Sequence, residues 1–84
     1  MLKRMSPSQC RGARALLDLT QPQLADAAEV GLSTIVDFER ERRIVSEDAI
    51  AKMLTALEAA GIEFIDENGG GPGVRLRKSP KQKR

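Results

Sequence analysis

Two helix-start signals lie so close together that almost no chain remains between the helices they begin. The runs Ser6-Pro7-Ser8-Gln9 and Thr20-Gln21-Pro22-Gln23 each combine a hydroxyl N-cap, an early proline and a glutamine three residues after the cap. In a capping box of this kind, the hydroxyl and the glutamine side chain bond backbone groups that the helix leaves unpaired. The apolar spacing of the first helix ends at Leu19, so the sequence predicts two short helices that meet at a tight corner.

A third helix follows a second tight break. Gly31 interrupts a long stretch without glycine and predicts a turn, after which a helix runs from Leu32 to about Arg40. Ile35 and Phe38 are three residues apart in this helix and are predicted to point inward. The other side of the helix carries Leu32, Ser33, Val36 and Asp37. An exposed leucine and valine are unusual on an outward face.

The fourth helix has the strongest amphipathic spacing in the chain, at Ile50, Met53, Leu54 and Leu57. Ser46 predicts its N-cap, and Gly61 is expected to close it in a left-handed conformation. In the charged loop before it, Ile44 and Val45 are expected to fold back onto the core. The side chains predicted to form that core are Leu16, Leu17, Leu24, Val30, Ile35, Phe38, Ile50, Leu54 and Leu57.

The residues after the fourth helix change from a helical period to a strand period. Ile62-Glu63-Phe64-Ile65 is rich in β-formers, residues 66–73 are turn material, and Val74-Arg75-Leu76-Arg77 alternates apolar and basic side chains. An isolated hairpin is marginally stable in water, so residues 62–78 are predicted to form a dimerisation element, paired either within or between chains. The side chains predicted to hold the homodimer are Ile62, Phe64, Ile65, Val74 and Leu76. Residues 79–84 are predicted to be a disordered basic tail.

Composition excludes several classes of protein. The chain has 84 residues, no histidine and a single cysteine, Cys10, so an internal disulfide and a zinc cluster of His and Cys ligands are both excluded. No nucleophile–base pair is visible, and we expect no catalytic residue, no metal and no cofactor. No apolar run approaches the roughly 18 residues of a membrane span. A reducing cytoplasm is the expected compartment.

Charge is distributed unevenly along the chain. Residues 74–84 carry six Lys or Arg and no acid, whereas residues 1–73 carry eight basic and twelve acidic side chains. The body of the protein is therefore not a uniformly basic coat for DNA, and any DNA contact must come from a local cluster or from the tail. The cluster over residues 40–43, taken alone, is typical of a solvated charged loop.

Residues 9–57 resemble the phage-repressor-like helix-turn-helix family, the XRE and Cro type of small bacterial regulators. The matching residues are Thr20-Gln21-Pro22-Gln23-Leu24-Ala25, Val30, Leu32-Ser33-Thr34-Ile35 and Phe38-Glu39-Arg40. The resemblance implies a mainly α fold of four to five helices over residues 1–61, followed by a short C-terminal β-strand or hairpin. It also implies a buried ion pair between Arg14 and Glu39.

The same resemblance implies that the third helix enters the major groove of double-stranded DNA. Leu32, Ser33 and Asp37 match positions that face bases, and Val36 lies nearby. Thr20, Gln21 and Thr34 match positions near phosphates. The arginines that follow the recognition helix, where the DNA backbone is within reach, are Arg40, Arg42 and Arg43. Because its charge repels phosphate, Asp37 is expected either to accept a hydrogen bond from cytosine N4 or to orient an arginine such as Arg40.

Three residues depart from the family pattern. Glu29 stands where the family usually has a turn glycine, Gly31 where it has a hydroxyl cap, and Glu41 where glycine is frequent after the third helix. A non-glycine residue in a left-handed turn costs about 1 kcal/mol, so some reshaping of this turn is expected.

Two functions are compatible with these observations. The first is a sequence-specific transcriptional regulator, a repressor that binds an inverted repeat as a homodimer and lies on the nucleoid in the cytoplasm. The alternative is an antitoxin or adaptor in which DNA binding is secondary and a partner protein adds a strand to the hairpin edge. Binding to DNA upstream of the protein's own gene distinguishes the two.

Overall fold

Four helices and a two-stranded antiparallel hairpin make up the described part of the chain. The computed structural model describes residues 5–66 and 69–77. The elements are α1 (Pro7–Leu17), α2 (Gln21–Ala28), α3 (Leu32–Glu39), α4 (Glu47–Ala59), β1 (Ile62–Ile65) and β2 (Gly73–Leu76). The predicted fold class is confirmed. No helix among the described residues is long and apolar enough to cross a membrane. The predicted basic tail, 79–84, lies outside the described residues.

Both predicted capping boxes are present at the starts of α1 and α2. The Ser6 hydroxyl accepts from the Gln9 backbone N–H at 3.1 Å, and the Gln9 side chain accepts from the Ser6 N–H at 2.9 Å. Thr20 and Gln23 repeat this arrangement at 3.2 and 2.9 Å. The two reciprocal bonds pair backbone donors at each helix start, which is why these short helices begin where the sequence predicts.

The helices enclose one apolar core. Of the predicted core residues, Leu24, Ile35, Phe38, Leu54 and Leu57 are buried, and Leu17, Val30 and Ile50 pack partly buried against them. Two predictions are wrong. Leu16 is 44% exposed because it lies at the edge of the α1 face that Cys10, Ala13 and Leu17 turn inward. Ile44 is 94% exposed, because its neighbour Val45 occupies the buried position in the loop before α4.

Two helices end in left-handed turns made by glutamates. Glu29 has φ 58° and ψ 46° after α2, and Glu41 has φ 55° after α3. Each glutamate adopts the left-handed conformation that a glycine favours, so the prediction that the turn at Glu29 is reshaped is wrong. The left-handed conformation costs each glutamate about 1 kcal/mol of backbone strain. Gly61, with φ 112°, has the positive φ predicted for the end of α4.

The hairpin pairs within the chain and packs on the helices. Ile62 faces Leu76 and Phe64 faces Val74 across the two strands. Ile62 is fully buried in the helical core, while Leu76 is 52% exposed. The Gln9 side chain donates to the backbone carbonyl groups of the two strand residues that flank the turn, at 2.9 Å to Gly73 and 3.3 Å to Ile65. The predicted segment 62–78 therefore shares the core of the helices as far as it is described.

Candidate nucleic-acid interface

Helix α3 has one buried face and one outward face. Ile35, Phe38 and Glu39 are buried, as a core-facing stripe at helical spacing requires. On the other side, Leu32 is 45% exposed and Ser33 is exposed, while Thr34, Val36 and Asp37 are partly buried. All of the side chains predicted to face bases therefore share one accessible side of a short helix, and the burial of the opposite side holds that helix in place.

The N-terminus of α3 presents backbone donors rather than a side-chain cap. Gly31 occupies the N-cap position, and no side chain bonds the first turn. The N–H groups at a helix start have no partner within the helix, and their dipoles attract negative charge. The family departure at Gly31 therefore leaves the backbone beside Leu32 and Ser33 accessible to an acceptor.

The buried carboxylate of Glu39, on the inward face of α3, accepts hydrogen bonds from side chains of α1 and α2. The Arg14 guanidinium donates to both carboxylate oxygens at 2.7 Å, and Gln21 Nε2 donates to Oε1 at 3.0 Å. The Cys10 thiol lies 3.1 Å from Oε2. The Glu39 side chain is 2% exposed and that of Arg14 is 20% exposed, so the ion pair implied by the family resemblance is present and largely buried.

The electrostatics of this cluster favour an ionised carboxylate. Burial alone raises the pKa of a carboxyl group, but the hydrogen bonds from Arg14, Cys10 and Gln21 outweigh burial and hold the pKa of Glu39 below its ordinary value. Burial, and then the bond to Glu39, raise the pKa of the Cys10 thiol well above its ordinary range. Cys10 is therefore a neutral donor to the carboxylate and not a reactive thiolate.

Arg11 and Arg14 make three further hydrogen bonds that sequence reasoning missed, one of them to the end of α3. Arg11 donates to the backbone carbonyl of Glu39 and, at 3.0 Å, to the Ser8 hydroxyl. Arg14 donates a further bond to the Leu19 carbonyl, also at 3.0 Å. Their only signal in the sequence was a pair of arginines on successive turns of α1. Together they join α1 to the corner before α2 and to the last turn of α3.

Three arginines extend from the end of α3, and the structure separates their environments. The Arg40 side chain is exposed and has no bonding partner within the described residues, while Arg43 Nε donates to Asp37 Oδ2 at 2.7 Å. Arg42 lies farther away, with its Nη1 3.9 Å from Asp37 Oδ1. Asp37 therefore pairs with an arginine, as one of its two expected roles requires, and that arginine is Arg43 and not the example Arg40.

At the start of α2, Thr20 and Gln21 line a groove of about 690 Å³ with Arg11, Arg14 and Arg40. The Thr20 oxygen accepts the cap bond from Gln23, so its hydroxyl hydrogen remains a donor. Gln21, predicted to approach phosphate, is half-buried, and its amide is bonded to Glu39. The groove therefore places Thr20 and Gln21, both predicted to lie near the DNA backbone, next to Arg40. Within residues 5–66 and 69–77, no cluster of acidic or cysteine side chains could hold a metal ion.

Comparison with known proteins agrees with this geometry. The family model described as helix-turn-helix matches residues 11–63, which span all of α2, α3 and α4. No curated protein matches the chain significantly. The family comprises DNA-binding regulators and is not an enzyme family. A matched region that covers well over half of the chain, together with the two helices and the outward face described above, shows that this protein belongs to the XRE-type helix-turn-helix family of DNA-binding transcriptional regulators.

Proposed function

We propose that this protein is a transcriptional repressor that binds an inverted-repeat operator as a homodimer. The observation that carries the proposal is the outward face of α3, where accessible Leu32 and Ser33 lie on a helix whose other face is locked into the core. Side chains on such a face reach base edges in the major groove, where each base pair presents a distinct pattern. A bound protein that blocks a promoter represses without any further contact, whereas activation needs a second interaction.

The arginines after α3 support a role at the DNA backbone. Arg42 and Arg43 have side chains that are 58% and 51% exposed, and Arg40 is exposed beside the groove at the start of α2. Arginine binds phosphate with two parallel hydrogen bonds, and each neutralised phosphate makes binding more sensitive to salt. This arrangement supports contacts to phosphates on both sides of the recognition helix and placement of the protein on the nucleoid in the cytoplasm.

The hairpin supports self-association. Leu76 is an exposed large apolar side chain on a strand with an unpaired edge in the described hairpin. Val74, two residues before it, and Ile65, at the turn end of β1, are partly buried. A second copy that covers this surface hides both strand edges. Two-fold symmetry then places two recognition helices about 34 Å apart, one turn of DNA, and so selects an inverted repeat.

Selection of binding sites from a random-sequence duplex library tests the proposal. We expect an inverted repeat whose half-sites are one helical turn apart. Ser33→Ala should weaken binding to the selected site with little effect on random duplex DNA. Arg43→Ala should weaken binding to the selected site and lower the salt slope there by about one.

Arg75→Ala is the matched control for Arg43→Ala. Arg75 is an exposed arginine in an ion pair with Glu63 at 2.8 Å, on the hairpin instead of beside α3. Removing either arginine changes the net charge equally, so only a contact near α3 makes Arg43→Ala the weaker binder. If no sequence is enriched and a protein is captured instead by the hairpin edge, the adaptor function replaces the repressor.

A further inference from the structure

The ion pair between Asp37 and Arg43 places an acid on the face of α3 that we propose to meet DNA. The Asp37 carboxylate accepts from Arg43 Nε at 2.7 Å, and its side chain is 20% exposed. The two residues are joined around the end of the helix, and the backbone carbonyl of Asp37 also accepts from the Arg42 N–H at 2.9 Å. The exit loop is thereby folded back against the recognition helix.

We propose that Asp37 is a specificity-determining residue that withholds Arg43 from DNA phosphates until a base supplies a replacement hydrogen-bond donor to its carboxylate. This inference rests on the proposed function as a DNA-binding protein. The proposed ligand group is an amino group on a base edge, and the usual partner of a carboxylate in the major groove is cytosine N4.

On DNA of arbitrary sequence, the pair opposes binding in either of two ways. If Arg43 keeps its bond to Asp37, the carboxylate stays near the phosphate that Arg43 approaches, and the like charges repel. If Arg43 leaves, Asp37 faces the groove without a partner. Non-specific affinity comes almost entirely from phosphate contacts, so the acid lowers that affinity directly.

On a cognate site, the same acid gains a partner. A cytosine amino group opposite Asp37 donates to the carboxylate, which releases Arg43 to bond phosphate through all of its guanidinium N–H groups. One base contact and one phosphate contact then form together. The difference between cognate and arbitrary DNA is therefore larger than either contact alone provides, and an ion pair whose arginine is 51% exposed is weak enough to be exchanged in this way.

The test compares Asp37→Asn with Glu63→Gln, using random-sequence duplex DNA and a site selected by the unmodified protein. Both substitutions remove one negative charge from an ion pair with an exposed arginine, at 2.7 and 2.8 Å respectively, but Glu63 lies on the hairpin. We expect Asp37→Asn to bind random duplex about five-fold more tightly, with a salt slope steeper by about one. Glu63→Gln should change both quantities much less.

A second selection with Asp37→Asn completes the experiment. We expect the preference for one cytosine in each half-site to be relaxed and the ratio of selected-site to random-site affinity to fall. The inference is overturned if Asp37→Asn and Glu63→Gln act alike, if Asp37→Asn weakens random-site binding, or if the cytosine preference is unchanged. Failure of the unmodified protein to bind any duplex at low salt would instead overturn the proposed function.

Discussion

At the scale of single residues, Glu39 stands out in the described structure because its charged side chain is almost fully buried. It is a buried carboxylate whose two oxygens receive bonds from Arg14, Gln21 and Cys10. A buried charge is tolerated only where such partners replace water, and removing one partner leaves the other charge uncompensated. Because these partners come from α1 and from the start of α2, one side chain sets where the recognition helix ends relative to both.

We expect Glu39→Gln to lower the free energy of unfolding at pH 7 by about 3 kcal/mol, the lower end for a buried pair because Arg14 retains some solvent contact. The pKa of Glu39 is depressed in the folded protein, so its stabilisation is complete above its unfolded pKa and is lost as the pH falls through the folded value. Denaturant unfolding from pH 7 to pH 3 checks the sign. The unmodified protein should lose more stability over this range than Glu39→Gln does.

Glu63→Gln is the control for that pH dependence, since Glu63 is 46% exposed in its pair with Arg75. Its substitution should leave the pH profile close to that of the unmodified protein. A profile for Glu39→Gln that runs parallel to the unmodified one would show that this buried pair does not contribute to the acid sensitivity of the fold.

At the scale of elements, two equivalent capping boxes have different tertiary roles. Gln9 and Gln23 occupy the same position in their helices, but Gln9 is 7% exposed whereas Gln23 is exposed. The Gln9 amide nitrogen also donates hydrogen bonds to the Gly73 and Ile65 carbonyl groups of the hairpin. Close packing accompanies this contact, because a Cβ added at Gly12 would lie 3.3 Å from the Val74 side chain.

We expect Gln9→Ala to cost about 2–3 kcal/mol of stability and Gln23→Ala about 0.5–1 kcal/mol. Both variants lose a cap bond, but only Gln9→Ala leaves the two hairpin carbonyls without their side-chain donor. Chemical denaturation gives the two free energies, and hydrogen exchange at β1 and β2 should accelerate in Gln9→Ala alone. Equal costs for the two substitutions would mean that the hairpin is held by its apolar contacts and not by Gln9.

At the scale of the whole molecule, the helices and the hairpin share one buried core. Ile62 is fully buried among residues of α1, α2, α3 and α4, so removal of the hairpin would open the core as well as any surface for a second copy. A test of the proposed homodimer therefore needs a surface substitution. Leu76 suits this purpose because it is 52% exposed and its loss leaves the core intact.

We expect Leu76→Glu to shift the protein from dimer to monomer in sedimentation velocity and to weaken binding to an inverted repeat, since one copy makes few base contacts. Leu16→Glu is the matched control, because Leu16 is a leucine of similar exposure, 44%, on α1. It should leave the association state unchanged. A Leu76→Glu protein that still sediments as a dimer would place the interface elsewhere.

The positions of the elements were predictable from the sequence because the signals that set them act within one helical turn. A hydroxyl at Ser6 or Thr20 and a glutamine three residues later define a helix start without help from the rest of the chain. The turn-rich run between two short β-forming segments likewise defined the hairpin. Apolar spacing identified the inward face of α3, although at Leu16 and Ile44 a local pattern did not reveal which neighbour would occupy the core.

Apart from the Arg14–Glu39 pair that the family resemblance implied, only the tertiary structure decided which polar groups far apart in the sequence meet. Glu39 bonds Cys10 and Gln21, which are 29 and 18 residues away, and Gln9 reaches Gly73 across 64 residues. The choice of Arg43 over Arg40 as the partner of Asp37 depends on the left-handed turn at Glu41, which folds the exit loop back along α3. Short-range capping and periodicity place backbone segments, but a hydrogen bond needs two side chains within about 3 Å in the right direction. That condition is met only after packing has fixed every helix relative to the others.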